Sequence, residues 1–274
     1  MSFAAEYLGQ LERFAARSPL PRVRALHLPP PPGGDERGEF CALELEGGAL
    51  GLSYVLLDGA TLEALRRGPD PKGADALALA RRYANAGGAE RTLGLAAANA
   101  LTRCLYDRAG FVPPASRDSL GLIDPQAGEH VGMIGLFRPL VARLLASGVR
   151  LTVVELRAEL AGEHAGWRVT TDARELAGCT QVLATGTLLL NDTLERMLEH
   201  CRGARHFALV GPSVGCLPDA LFARGVTLLG GSWVTEPAGY ADALRAGHSC
   251  SAHARKFALG AADYPGLAAL LARL

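Results

Sequence analysis

The chain has 274 residues, 49% of them hydrophobic, enough for one large domain or two smaller ones around a substantial core. Its 28 Lys and Arg balance its 28 Asp and Glu, so no net field draws it to nucleic acid or to an anionic membrane. The apolar runs are strand-sized and broken by glycine, which excludes a bilayer span, and the six irregularly spaced cysteines form neither C-x-x-C pairs nor a secreted disulfide framework, as expected of a cytoplasmic protein with reduced thiols.

The opening segment, MSFAAEYLGQLERFAARS, carries Glu6 and Glu12 among its apolar residues, unlike a signal peptide. Its periodicity predicts an amphipathic helix with Phe3, Tyr7, Leu8, Leu11 and Phe14 on one side. That face is expected to pack within the chain or to make a homo-oligomer contact. RVRALHL (22–28), FCALELE (40–46) and LGLSYVLL (50–57) read as strands, the last two joined by a tight Gly47-Gly48 turn. ADALALARRYAN (74–85) and ERTLGLAAANALTRCLYDR (90–108) read as helices, and the alanines of the second allow close packing on a sheet. A small α+β layer over residues 1–125 is expected. The Pro-, Gly- and Ser-rich stretch at 112–129 reads as the connection to a second domain, residues 126–274.

Beyond it the pattern alternates. VGMIGL, RLTVVEL, TQVLATG, HFALVGPS and VTLLGGSWV are strand candidates, the last closing the sheet. Between and after them FRPLVARLLASG, DARELAG, DTLERMLEHCRG, LPDALFARG and PAGYADALRAG are helical, with Pro139 in the first turn of its helix. Continuous apolar strands alternating with amphipathic helices predict a Rossmann-like, doubly wound parallel sheet covered on both faces.

Ligands of such sheets bind beyond the carboxyl ends of the strands. These ends carry Gly132, Gly135 and Phe137; Glu155; Thr185, Gly186 and Thr187; Gly211, Pro212 and Ser213; and Gly230, Gly231 and Ser232. Small residues admit a ligand to the backbone, and hydroxyls and amides supply donors, although any one of these glycines can serve simply to turn the chain. Glu155 lies about 20 residues past the first glycine turn, where an acidic residue can accept from a ribose diol; pairing with Arg157 is the plainer role. The turn itself lacks a full G-x-G-x-x-G. Asp192 and Glu195 fit a capping box, whereas Asn191 and Thr187 flank three leucines and can both face a crevice. His248, Cys250, His253 and Cys216 are the soft metal-ligand types, without a complete tetrahedral set. Ser213 has no local base partner and no G-x-S-x-G context.

VGMIGLFRPLVARLL, VVEL, ATGTLLLNDTLERML, ALVGPSVGCLPDALFARGV and LLGGSWV together resemble the putative heavy-metal chelation domain family, and NAGGAERTLGLAAANALT resembles its companion enolase N-terminal-like domain. The resemblance implies a two-domain protein with a site between the two parts. By motif match it assigns that site Gly132, Gly135, Phe137, Glu155, Thr185, Gly186, Thr187, Asn191, Thr193, Gly211, Pro212 and Ser213, with Asn99 added from the first part. It implies binding or processing of a metal, or of a metal-chelating small molecule, in an interdomain crevice. The glycine turn leaves open an enzyme using a dinucleotide or S-adenosylmethionine, and a scaffold with a vestigial crevice stands as a third reading. The HSCSAH stretch is not part of the family's pattern.

Overall fold

A computed structural model describes residues 1–31, 40–55, 60–117 and 122–274. Helix α1 (Phe3–Ala15) starts at Ser2, whose hydroxyl accepts from the Ala5 amide, and buries Phe3, Tyr7, Leu8, Leu11 and Phe14 inside the chain. That face is therefore occupied internally. Strands β1 (Val23–His27), β2 (Phe40–Leu45) and β3 (Leu50–Tyr54) form an antiparallel sheet in that order, with the expected hairpin between the last two. Part of the anticipated third strand, residues 56–57, lies outside the described residues.

Helix α2 (Thr61–Arg67) follows, unanticipated because only two apolar positions, Leu62 and Leu65, mark its buried face. The expected 74–85 helix is split into α3 (Ala76–Ala80), capped by Asp75, and α4 (Arg82–Asn85). Helix α5 (Gly88–Arg108) is buried along most of its length. The small side chains of α5 let β3 sit directly on its backbone: a Cβ at Gly51 would fall 2.1 Å from Ala96 O and Ala100 N. Only glycine fits there.

The second sheet has eight strands: β4 (His130–Ile134), β5 (Arg150–Val154), β6 (Gly162–His164), β7 (Trp167–Thr170), β8 (Gln181–Thr185), β9 (His206–Val210), β10 (Leu228–Val234) and β11 (Ala254–Gly260). Their spatial order is β11-β10-β9-β8-β4-β5-β7-β6. The six inner strands run parallel, and the two edge strands are antiparallel to their neighbours. Helices α6 (Arg138–Leu145), α7 (Leu194–His200), α8 (Asp219–Phe222), α9 (Pro237–Arg245) and α10 (Leu267–Leu271) complete the chain. Alternation along the strands fills both faces. Val131, Met133 and Leu183 join one apolar core with Val141 and Leu144 of α6, while Ile134, Val182 and Ala184 join the core shared with α1 and α5. No helix among the described residues is long and apolar enough to cross a membrane.

Three sequence readings of this sheet need correction. β10 does not close it, because β11 pairs antiparallel outside it. The β6–β7 hairpin was missed, being short and mostly exposed, so that it lacks a continuous apolar signature. Gly230, Gly231 and Ser232 do not end a strand; they lie inside β10, where Gly231 makes room for the Phe257 ring.

Candidate functional site

Strand β4 connects through α6 to β5 on one side, while β8 and β9 lie on its other side. The connections thus diverge at the carboxyl ends of β4 and β8, the position where open α/β sheets form ligand crevices. A cavity of about 350 Å³ opens there. Gly135, Glu155, Thr185, Thr187, Asn191 and Thr193 line it, six of the residues expected from the sequence. It also takes Asp172 and Arg174 after β7 and Arg196, Met197 and His200 from α7. All its lining residues fall between 134 and 200, so it is not an interdomain crevice.

The glycine turn is fully hydrogen-bonded within the chain. Gly135, at φ +82°, donates its amide to Val154 O; Leu136 donates to Glu155 Oε2 (3.1 Å), and Phe137 to Met133 Sδ (3.4 Å). The other Glu155 oxygen accepts from the Leu156 (2.8 Å) and Arg157 (3.4 Å) amides, with the Arg157 guanidinium 4.0 Å away. Glu155 therefore stabilises the turn, and none of the three turn amides is left for a phosphate. This geometry counts against the nucleotide reading. Asp172 is engaged in the same way: Arg174 donates to both its oxygens (2.7–3.0 Å) and holds its carboxyl down to about 2.

The loop after β8 has two sides. Toward the cavity, Thr187 donates from its amide and hydroxyl to Thr185 Oγ1 (both 3.3 Å), and Asn191 Oδ1 accepts from the Thr193 amide (3.3 Å) and hydroxyl (2.5 Å). Behind it, Tyr83 donates its hydroxyl to Leu189 O (2.6 Å), and Arg91 lies over the Tyr83 ring while pairing with Asp192. The expected capping box is absent. Asp192 sits at φ +56° facing Arg91, and Glu195 instead accepts from the Phe3 amide (2.8 Å).

The remaining expected residues lie elsewhere. Gly132 is in mid-β4, packed under Leu176, and Phe137 caps α6 against the apolar core. At Gly186 a Cβ would come within 2.6 Å of Val214, so that glycine serves close packing. Gly211, at φ +136°, donates to Gly230 O and turns the chain after β9. Asn99 is 2% exposed and fully bonded: Tyr7 donates to its Oδ1 (3.2 Å), and its Nδ2 donates to Leu52 O (2.9 Å) and Ser213 O (2.8 Å). Ser213 is buried and its hydroxyl accepts from the Tyr54 amide (3.0 Å), which leaves it no role as a nucleophile. Asn99, Pro212 and Cys216 border a second hollow of only about 30 Å³ between α5, β3 and the large sheet.

Soft-ligand geometry does not form. His253 pairs with Glu236 (2.9 Å), Cys250 faces the Tyr240 and His248 carbonyls, and His248 is exposed. Cys216 is buried, which pushes its thiol up to about 12. Among the described residues no three His, Cys, Asp or Glu side chains converge to hold a metal.

Sequence reasoning missed Asp172, Arg174, Arg196 and His200. The first two follow a strand it did not recognise. The other two were legible in principle, since their i,i+4 spacing puts them on one face of α7.

A family model described as putative heavy-metal chelation matches residues 118–261, and a second with the same description matches residues 38–102. An uncharacterised protein of Methanocaldococcus jannaschii is 31% identical over 142 residues, covering 50% of this chain and 52% of the relative, so the match spans about half the relative's length. Two solved structures share the fold, both of proteins with unknown function. That from Desulfitobacterium hafniense has a TM-score of 0.66 at 20% identity, covering 93% of this chain and 97% of its own. That from Pyrococcus horikoshii has a TM-score of 0.65 at 21% identity, covering 93% and 99%.

Proposed function

The chain belongs to the putative heavy-metal chelation family, and from that premise we propose that it binds a small metal-chelating molecule, or its metal complex, in the cavity at the carboxyl ends of β4, β5 and β8. One observation carries this reading: the cavity of about 350 Å³ at the divergence point is lined by hydroxyl, amide and charged side chains of three separate strand ends and one helix. A volume of that size suits a small organic molecule rather than a bare ion.

The donor set does not fit a heavy metal held directly by side chains. Five of the six cysteines are buried, and Cys41, Cys179, Cys201 and Cys216 have thiols pushed up to about 12 by burial. Burial makes each of these thiols harder to ionise, whereas metal ligation needs the thiolate. The cavity itself presents oxygen and nitrogen groups with no thiol. Recognition of an organic ligand that carries the metal accords with both facts. In this reading residues 126–274 bind, and residues 1–125 brace the binding loop from behind through Tyr83, Arg91 and the Phe3 amide.

Native mass spectrometry with elemental analysis of freshly purified protein tests the proposal. The wild type is expected to retain a small organic molecule, with or without metal, and Thr187→Val combined with Asn191→Leu is expected to lose it while melting normally. Metal retained without an organic partner, or a ligand kept undiminished by the double variant, would refute it.

A further inference from the structure

The cavity's hydrogen-bonding capacity is asymmetric. Its two carboxylates, Glu155 and Asp172, have each oxygen already accepting from an N–H of the chain. The Arg174 guanidinium is turned onto Asp172 and balances it. Little acceptor capacity is left for a ligand.

The donors are different. Asn191 Oδ1 faces the Thr193 amide, which can only donate; this fixes the orientation of the Asn191 side chain and leaves Nδ2 without a partner among the described residues. Thr185 Oγ1 accepts twice from Thr187, and its own proton has no acceptor among them. The Arg196 side chain forms no ion pair or hydrogen bond among the described residues, nor does that of His200, one turn further along the same face of α7. His200 lies near enough to Asp172 for its charge to help depress that carboxyl. An amide NH₂, a hydroxyl, a guanidinium and an imidazole thus surround one cavity with their donors uncommitted.

We infer that the ligand is an anion, a carboxylate- or phosphate-bearing molecule whose acceptor oxygens meet Arg196, His200, Asn191 Nδ2 and the Thr185 hydroxyl. The inference rests on the proposed use of this cavity and specifies the chemical class it selects. A free metal cation would meet uncommitted positive charge, so metal enters only within a complex of net negative charge. Arginine suits this role because its fork matches the paired oxygens of a carboxylate or phosphate.

Calorimetric titration of the full chain with four probes tests it: citrate, inorganic phosphate, Ni²⁺ alone and the uncharged polyol erythritol. Citrate or phosphate is expected to bind, telling the two anion classes apart, while Ni²⁺ and erythritol bind more weakly than the preferred anion. Arg196→Gln, an exposed change, is expected to weaken that anion about tenfold, the loss of one charge-assisted hydrogen bond. Ala173→Phe, which fills the cavity, should abolish binding; Thr187→Leu serves the same purpose if that variant fails to fold. Tighter binding of Ni²⁺ or erythritol than of either anion, blocked by the filled cavity, would overturn the charge assignment and leave the cavity as the site. Anion binding that survives the filled cavity would overturn the site itself. Unchanged affinity in Arg196→Gln, or no anion binding at millimolar concentration, also ends the inference.

Discussion

Two hollows of this molecule draw on the same kinds of residue, and their asparagines and arginines differ in what they have left over. Around the small one, Asn99 donates to Leu52 O and Ser213 O, the Ser213 hydroxyl accepts from the Tyr54 amide, and Arg103 lies over the Trp233 ring at 3.8 Å while donating to Val234 O. Around the large one, Asn191, Thr185, Arg196 and His200 retain unused donors. A polar side chain near a strand end is thus no guide to binding until its partners are counted. Fully bonded groups hold layers together, and groups with spare valence are available to a ligand.

The sharpest test of the contrast is at the junction itself. Gly51→Ala would drive a methyl group into the backbone of α5, and backbone cannot turn aside as a side chain can. It is expected to abolish the native fold, seen as loss of a cooperative urea transition; a native-like transition would show that β3 and α5 are not so tightly opposed. Asn99→Ala comes next. It removes three buried hydrogen bonds and orphans two carbonyls, at an expected cost on the order of 3 kcal/mol. Affinity per folded molecule at the large cavity should be unchanged, and a selective loss of binding would erase the distinction between the hollows.

A smaller effect of opposite sign is expected for Tyr106→Phe. The Tyr106 hydroxyl is buried beside the small hollow without a hydrogen-bond partner among the described residues, so removing it should raise stability by about 1 kcal/mol. A fall in the urea midpoint would reveal a partner the static structure does not hold. Thr187→Val, by contrast, is expected to alter stability by no more than about 0.5 kcal/mol, since among the described residues its hydroxyl bonds only to a neighbouring threonine. Its effect should fall on ligand retention.

The smallest signal is a titration. Hydrogen bonds from Arg174 hold Asp172 at about 2, below its unfolded value of about 4. Because the folded value is the lower one, the stabilisation from this pair is complete above the unfolded value and is lost as pH falls through the folded one. A carboxyl chemical-shift titration should place the Asp172 midpoint near 2, and Arg174→Ala should return it toward the unfolded value. A midpoint unmoved by that substitution would mean the pair is open in solution, adding acceptor capacity to the cavity.

The alternation of apolar strands and amphipathic helices from Val131 to Arg245 was enough to specify a parallel sheet, because such strands must be buried on both faces. Strand ends and glycine turns are written in local residue types, and four of the positions they mark, Gly135, Glu155, Thr187 and Asn191, line the large cavity. The edge strands β6 and β11 were not legible: both are half-exposed or exposed in part, and their pairing depends on neighbours distant in sequence. Glu155 lines the cavity, yet what its carboxylate does there depended on the Leu136 amide coming within 3.1 Å. Asn99 and Asn191 are the same amino acid in the sequence, and only the folded chain distinguishes them. The side chain of one finds Tyr7, Leu52 and Ser213 from three remote segments, whereas that of the other finds, among the described residues, only its neighbour Thr193. Local sequence fixes which groups can form hydrogen bonds, but long-range packing determines which of those bonds remain to be made.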